Sequence, residues 1–139
     1  MTVEHLKQLL RKYKLSPNKT LGQNFLLDDF VLQDIVDNAG IKSGEAVLEI
    51  GPGIATLTER LLAKTDFVLA VEKDPKFLSL LRSLKKEHKN FRYEVADILS
   101  FDFQTALADY KNYRVVANIP YYITGKIIQL FLQKPSNPM

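Results

Sequence analysis

The apolar positions of the chain change period as it is read from the start. Val3, Leu6, Leu9, Leu10 and Tyr13 recur at helical spacing until Ser16-Pro17-Asn18 interrupts them, which predicts a short helix over 3–13 leading into a loop. Asp28, a good N-cap residue, precedes a second helical pattern whose apolar positions are Phe30, Val31, Ile35 and Val36, with Gly40 placed to end it. That helix is expected to cover an edge or a face of a sheet.

From Ala46 the period changes. Ala46-Val47-Leu48-Glu49-Ile50 is a short, mostly apolar run stopped by Gly51-Pro52-Gly53, as a buried parallel strand feeding a turn would be. Thr56-Leu57-Thr58-Glu59 then reads as a capping box for a helix through Ala63. The alternation continues with a strand over 67–71, a helix from Asp74 with Pro75 at its first position through about Leu84, and a strand over 91–95. A looser stretch over 102–109, a strand over 114–117 and a helix over 124–133 complete it. Strands and helices alternating over short connections predict βαβ units, and so an α/β fold with an open parallel sheet of four strands and helices on both faces. The final Lys134-Pro135-Ser136-Asn137-Pro138-Met139 resembles a connection on its way to a further strand. The strand over 114–117 is expected to form an exposed edge.

Composition narrows the chemistry. There are no cysteines, and His5 and His88 lack ligand-like spacing, so neither a disulfide framework nor a metal site is expected. No stretch approaches the ~20 apolar residues of a bilayer span, which predicts no membrane partner and a cytoplasmic protein. Net charge is +3, yet Lys7, Arg11, Lys12, Lys14 and Lys19 face only Glu4 over the first 27 residues. A basic arm on a nearly neutral body suits contact with phosphates, although a solvated helix face gives the same pattern.

Ligands of open α/β sheets bind beyond the carboxyl ends of the strands, so the residues after each strand carry the functional information. The first strand delivers Glu49 and the turn of Gly51 and Gly53, whose backbone can approach a ligand closely. Thr56 stands where a G-x-G-x-x-G fingerprint needs its third glycine, and the Gly-Lys-Ser/Thr of a P-loop is missing. The second strand ends at Glu72, 21 residues beyond Gly51, where a carboxylate can accept both hydroxyls of a ribose. The third ends in Val95-Ala96-Asp97, suited to an adenine amino group with Ile98 among the apolar neighbours, or equally to an Asx-turn. The fourth ends in Asn118-Ile119-Pro120-Tyr121.

That tetrapeptide resembles the Asn/Asp-Pro-Pro-Tyr/Phe motif of methyltransferases acting on planar amino nitrogens, in the form typical of ribosomal RNA adenine dimethyltransferases. Leu21-Gly22-Gln23-Asn24-Phe25-Leu26, Val47-Leu48-Glu49-Ile50-Gly51-Pro52-Gly53, Val71-Glu72-Lys73-Asp74 and Val95-Ala96-Asp97 match further family segments in the same order. Ala55 stands where many members have glycine. The chain thus resembles the KsgA-type enzymes of the small ribosomal subunit. Erm-type enzymes of the large subunit are the nearest alternative, ahead of a noncatalytic RNA-binding relative and a nicotinamide-dependent dehydrogenase.

The resemblance implies a Rossmann-like S-adenosylmethionine-dependent fold, of which residues 1–139 are the N-terminal part of the catalytic domain, without the remaining strands and a C-terminal helical domain. It assigns the cofactor to Gln23, Asn24, Leu26, Glu49, Gly51, Gly53, Glu72, Lys73, Ala96, Asp97 and Asn118. Asn118, Ile119, Pro120 and Tyr121 become the catalytic group, and Arg11, Lys12, Lys14, Lys19 and Phe25 the RNA contacts. The implied substrate is 16S ribosomal RNA or the small-subunit precursor particle, dimethylated at adenine amino nitrogens without a metal by a monomeric full-length protein. The 139-residue piece alone is expected to be weakly active or inactive.

Overall fold

The computed structural model describes residues 1–15, 27–117 and 124–133. The chain folds as α1 (Val3–Lys12), α2 (Asp29–Asn38), β1 (Ala46–Ile50), α3 (Thr56–Leu62) and β2 (Phe67–Glu72). A 3-10 turn over Pro75–Phe77 leads into α4 (Leu78–Glu87), followed by β3 (Phe91–Val95), α5 (Phe103–Ala106), β4 (Tyr113–Ala117) and α6 (Thr124–Gln133). The expected α/β architecture is therefore present.

The four strands form one sheet in the order β3-β2-β1-β4, and every pairing is parallel. The chain winds outward from β1 through β2 to β3 and then returns to the other side of β1 to lay down β4. That reversal makes the gap between β1 and β4 a topological switch point, the place where sheets of this kind open a crevice at their carboxyl ends. β1 lies at the centre and is buried along its whole length, which is why its sequence runs apolar on both faces rather than alternating.

Each face of the sheet has its own core. Val47, Val68, Ala70 and Val116 pack beneath Leu32 and Val36 of α2, Leu57 and Leu61 of α3, and Leu80, Leu81 and Leu84 of α4. Leu6, Leu9 and Leu10 of α1 join the same layer. On the opposite face Ala46, Leu48, Ile50, Leu69 and Val71 meet Phe103, Leu107, Ile127 and Phe131, with the Phe103 and Phe131 rings 5.0 Å apart. Full burial of such a side chain contributes about 1.5–3 kcal/mol.

The helix ends follow local chemistry, with two departures from the sequence pattern. In α2, the Asp28 carboxylate accepts from the backbone N–H of Phe30 at 2.9 Å and of Val31 at 3.2 Å. Gly40, at φ +65°, follows the last turn as expected. Yet α2 buries Leu32 and Val36, leaving Phe30 86% and Val31 42% exposed. The helix is phased so that the Leu32–Val36 pair, four residues apart, meets the sheet, and not the Phe30–Val31 pair. The capping box is absent as well: Ala55, not a threonine, is the N-cap of α3. Thr56 opens the helix, and Thr58 belongs to its buried stripe with Leu57, Leu61 and Leu62.

Candidate active site

Parallel pairing brings the carboxyl ends of all the strands to one side. Ile50 is in register with Val71 of β2 and Ala117 of β4, and Glu72 with Val95 of β3. Backbone bonds extend the alignment past the strand ends, from Gly51 N–H to Val71 C=O and from Ala96 N–H to Glu72 C=O, each 2.9 Å. Gly51, Gly53, Glu72, Lys73, Ala96 and Asp97 are thereby gathered along one rim, as the sequence pattern anticipates.

The turn after β1 is built on left-handed backbone at alternate residues, with φ of +71° at Gly51, +54° at Gly53 and +67° at Ala55. Glycine adopts this conformation without cost, whereas Ala55 bears a Cβ penalty. The turn closes through Ala55 N–H donating to Pro52 C=O at 2.8 Å.

Glu72 is the mechanical centre of the rim. Its Oε1 accepts from Gly53 N–H and its Oε2 from Asp74 N–H, both at 2.9 Å, so one carboxylate pins the glycine turn to the loop after β2. Burial raises its pKa above the usual carboxylate value, against the lowering effect of the bonds from Asp74 and Gly53. Each oxygen keeps a lone pair for a hydroxyl, which fits a ribose diol laid across the turn.

Farther along the rim, Asp97 Oδ1 accepts from Leu99 N–H at 3.0 Å, the Asx-turn foreseen as an alternative role. Its Oδ2 lies 3.6 Å from Lys73 Nζ, an exposed pair joining the tips of β2 and β3. Ile98 is directed into the core beside α5. A carboxylate at that place can take the hydrogen of an adenine amino group.

Glu49 stands beneath the rim. It is 1% exposed and accepts a hydrogen bond from the Thr58 hydroxyl. Burial, with the nearby Glu72 carboxylate adding to it, pushes its pKa up to about 8 against the effect of Thr58. Thr58 escaped the sequence reading, although its place on the inward stripe of α3 between apolar neighbours was the available signal.

At the end of α1, Arg11 pairs with Glu4 at 3.8 Å and Lys12 Nζ lies 5.3 Å from the Tyr13 ring centroid. Lys14 takes φ +54° in the turn that closes the helix. Lys19, Gln23, Asn24, Phe25 and Leu26, and likewise Asn118, Ile119, Pro120 and Tyr121, lie outside the described residues. No helix among the described residues is long and apolar enough to cross a membrane, and none of their His, Asp or Glu side chains cluster as a metal site would require.

A family model described as ribosomal RNA adenine dimethylase matches residues 14–139. The chain belongs to this family. Among its members, Ribosomal RNA small subunit methyltransferase A of Clostridium acetobutylicum is 41% identical over 131 residues, covering 94% of this chain and 48% of the relative. The protein of the same name from Alkaliphilus metalliredigens is 40% identical over 92% of this chain and 46% of its own. The structure resembles that of the 23S rRNA methyltransferase ErmE, with a TM-score of 0.71 and 30% identity over 82% of this chain and 45% of that one. A dimethyladenosine transferase from Plasmodium falciparum gives 0.69 and 27% over 83% and 40%. The chain spans about half the length of the curated relatives it matches. Membership in the dimethylase family and these neighbours bear out the Rossmann-like methyltransferase fold and set aside the dehydrogenase reading.

Proposed function

We propose that the chain is the N-terminal part of a catalytic domain that transfers methyl groups from S-adenosylmethionine to adenine amino nitrogens of small-subunit ribosomal RNA in the cytoplasm. The observation carrying this reading is the register of β4. Ala117 pairs with Ile50, so the chain enters Asn118-Ile119-Pro120-Tyr121 beside Gly51, at the switch point and at the same end as Glu72 and Asp97. The small subunit is favoured over the large one because the curated relatives of C. acetobutylicum and A. metalliredigens, 41% and 40% identical, are named for the small-subunit enzyme, against 30% identity to ErmE.

The residues on the rim fit the cofactor. Gly51 and Gly53 border its methionine portion, Glu72 takes the ribose hydroxyls and Asp97, steadied by Lys73, takes the adenine amino group. Gln23, Asn24 and Leu26 close the pocket from the N-terminal side. The cofactor supplies a methyl group activated on a sulfonium. An adenine amino nitrogen is a poor nucleophile because its lone pair is delocalised, so the protein must draw it toward tetrahedral geometry. The Asn118 side-chain oxygen and the Ile119 carbonyl do so by accepting its two hydrogens. Pro120 stiffens the turn, and Tyr121 offers a face for the extruded base, where stacking contributes ~1–3 kcal/mol. Positioning and electrostatics then supply most of the acceleration without a strong base. Arg11, Lys12, Lys14, Lys19 and Phe25 contact the RNA.

The test is calorimetric titration of S-adenosylmethionine and S-adenosylhomocysteine, with NADH as the control ligand. Saturable binding that weakens about 10–100-fold in Glu72→Ala, the loss of charge-assisted bonds worth ~1.5–3 kcal/mol, supports the reading. Equal affinity of Glu72→Ala and the parent chain, or binding of NADH, defeats it.

A further inference from the structure

Outside the rim, the largest concentration of charge not absorbed by this function lies on α4. Arg82, Lys85, Lys86 and Lys89 are all exposed and follow one another at i, i+3, i+4 and i+7, the spacing of a single helical stripe. The apolar face of the same helix is committed to the core through Leu80, Leu81 and Leu84. None of the four cations forms an ion pair among the described residues. Arg92, just beyond, is neutralised by Glu94 at 2.9 Å. Across the chain as a whole the basic excess falls in the first 27 residues, so this local concentration emerges only when α4 is phased against the sheet.

Compensation of the helix dipole accounts for part of the stripe, since Lys85 and Lys86 occupy the last turn of α4. It does not account for Arg82, a turn earlier, or Lys89, beyond the helix end. Nor do α2 and α6 carry any basic residue in their last turns. A bilayer surface would require exposed apolar side chains alongside the cations. Here the stripe is flanked by Ser79 and Ser83, and every core-facing leucine of α4 is already covered. Flexible cations spread over about 10 Å of helix suit a run of phosphates, and α1 with Arg11 and Lys12 packs on the same face of the sheet.

We infer that the Arg82–Lys85–Lys86–Lys89 stripe is a second RNA-backbone contact surface, separate from the N-terminal arm and from the cofactor rim. The inference rests on the reading that the substrate is RNA, and it is independent of the cofactor assignments. The stripe reads no base, because it presents only point charges; it contributes affinity and orientation.

The experiment measures binding of a small-subunit ribosomal RNA fragment to the full chain across a series of monovalent salt concentrations. Lys85→Gln/Lys86→Gln/Lys89→Gln is compared with Lys42→Gln/Lys64→Gln/Lys111→Gln, which removes the same charge from exposed sites elsewhere. The stripe variant is expected to bind about 10-fold or more weakly near 0.1 M salt, with the slope of log K against log salt shallower by about 2–3. The control variant is expected to stay within about 3-fold of the parent, and both are expected to keep the parent's melting temperature and S-adenosylmethionine affinity. Equal losses in the two variants, no loss in either, or a parent chain that binds no RNA would each overturn the inference. Absence of cofactor binding alone would defeat the rim assignments and leave the stripe standing.

Discussion

Glu49 shows how a single carboxyl can be read correctly in the sequence for its place and still hold a surprise in its surroundings. It ends the first strand beside the glycine turn, where a ligand contact is the natural expectation, but its side chain enters the core beneath α3 with the Thr58 hydroxyl as its hydrogen-bond donor. Desolvation, reinforced by Glu72, lifts its pKa from 4.5 to about 8. Between those values the folded protein retains a proton that the unfolded chain has released, so Glu49 makes stability fall as pH rises through that window. Glu72, also raised by burial, acts with the same sign. Glu49→Gln keeps the shape and an acceptor for Thr58 while removing the titration. Its melting temperature is expected to exceed the parent's at pH 8, with the gap closing toward pH 5. Thermal melts followed by circular dichroism check this, and parallel pH profiles would show that Glu49 is not the titrating group.

The turn between β1 and α3 behaves as a unit. Ala55 holds a left-handed φ of +67° at 1% exposure, so glycine there would relieve roughly 1 kcal/mol of strain but lose a buried methyl and gain unfolded-state freedom of comparable size. Ala55→Gly is therefore expected to lie within about 0.5 kcal/mol of the parent in denaturant unfolding. Ala55→Val, with a β-branch at positive φ in a packed site, is expected to cost about 2 kcal/mol or more. Apolar runs bounded by turn residues made the strands legible nearly to the residue, and Asp28 and Gly40 marked α2 by cap chemistry. The phase of α2 was not legible, because Phe30, Val31, Leu32, Ile35 and Val36 offer two overlapping stripes and only the sheet beneath selects one. Nor was the start of α3: Thr56 and Thr58 carry hydroxyls that fit a cap, while a non-glycine N-cap in left-handed backbone leaves no mark in the sequence. The rim itself was legible because parallel strands align whatever follows their last apolar residue.

The sheet order β3-β2-β1-β4 also fixes where the protein is firm and where it opens. β1 is flanked by β2 and β4, and β2 by β1 and β3, with both central strands covered by helices on each face. β4 pairs with β1 alone among the described residues, so the strand leading into Asn118 is an edge, as the sequence suggested. Ala46 N–H donates to Asn112 C=O, and the parallel register then turns the Arg114 and Val116 amides toward β1 and those of Val115 and Ala117 toward the open side. An amide without a ladder partner on a sheet edge exchanges through small openings, whereas a central one requires wider unfolding. Hydrogen exchange is accordingly expected to be slowest at Val47 to Ile50 and Val68 to Val71, and faster by at least about tenfold at Val115 and Ala117. If Val115 and Ala117 exchange as slowly as Leu48, a further strand or a second copy of the chain covers that edge in solution. Repeating the measurement over a hundredfold range of protein concentration separates the two, since only association between copies protects the edge more as concentration rises.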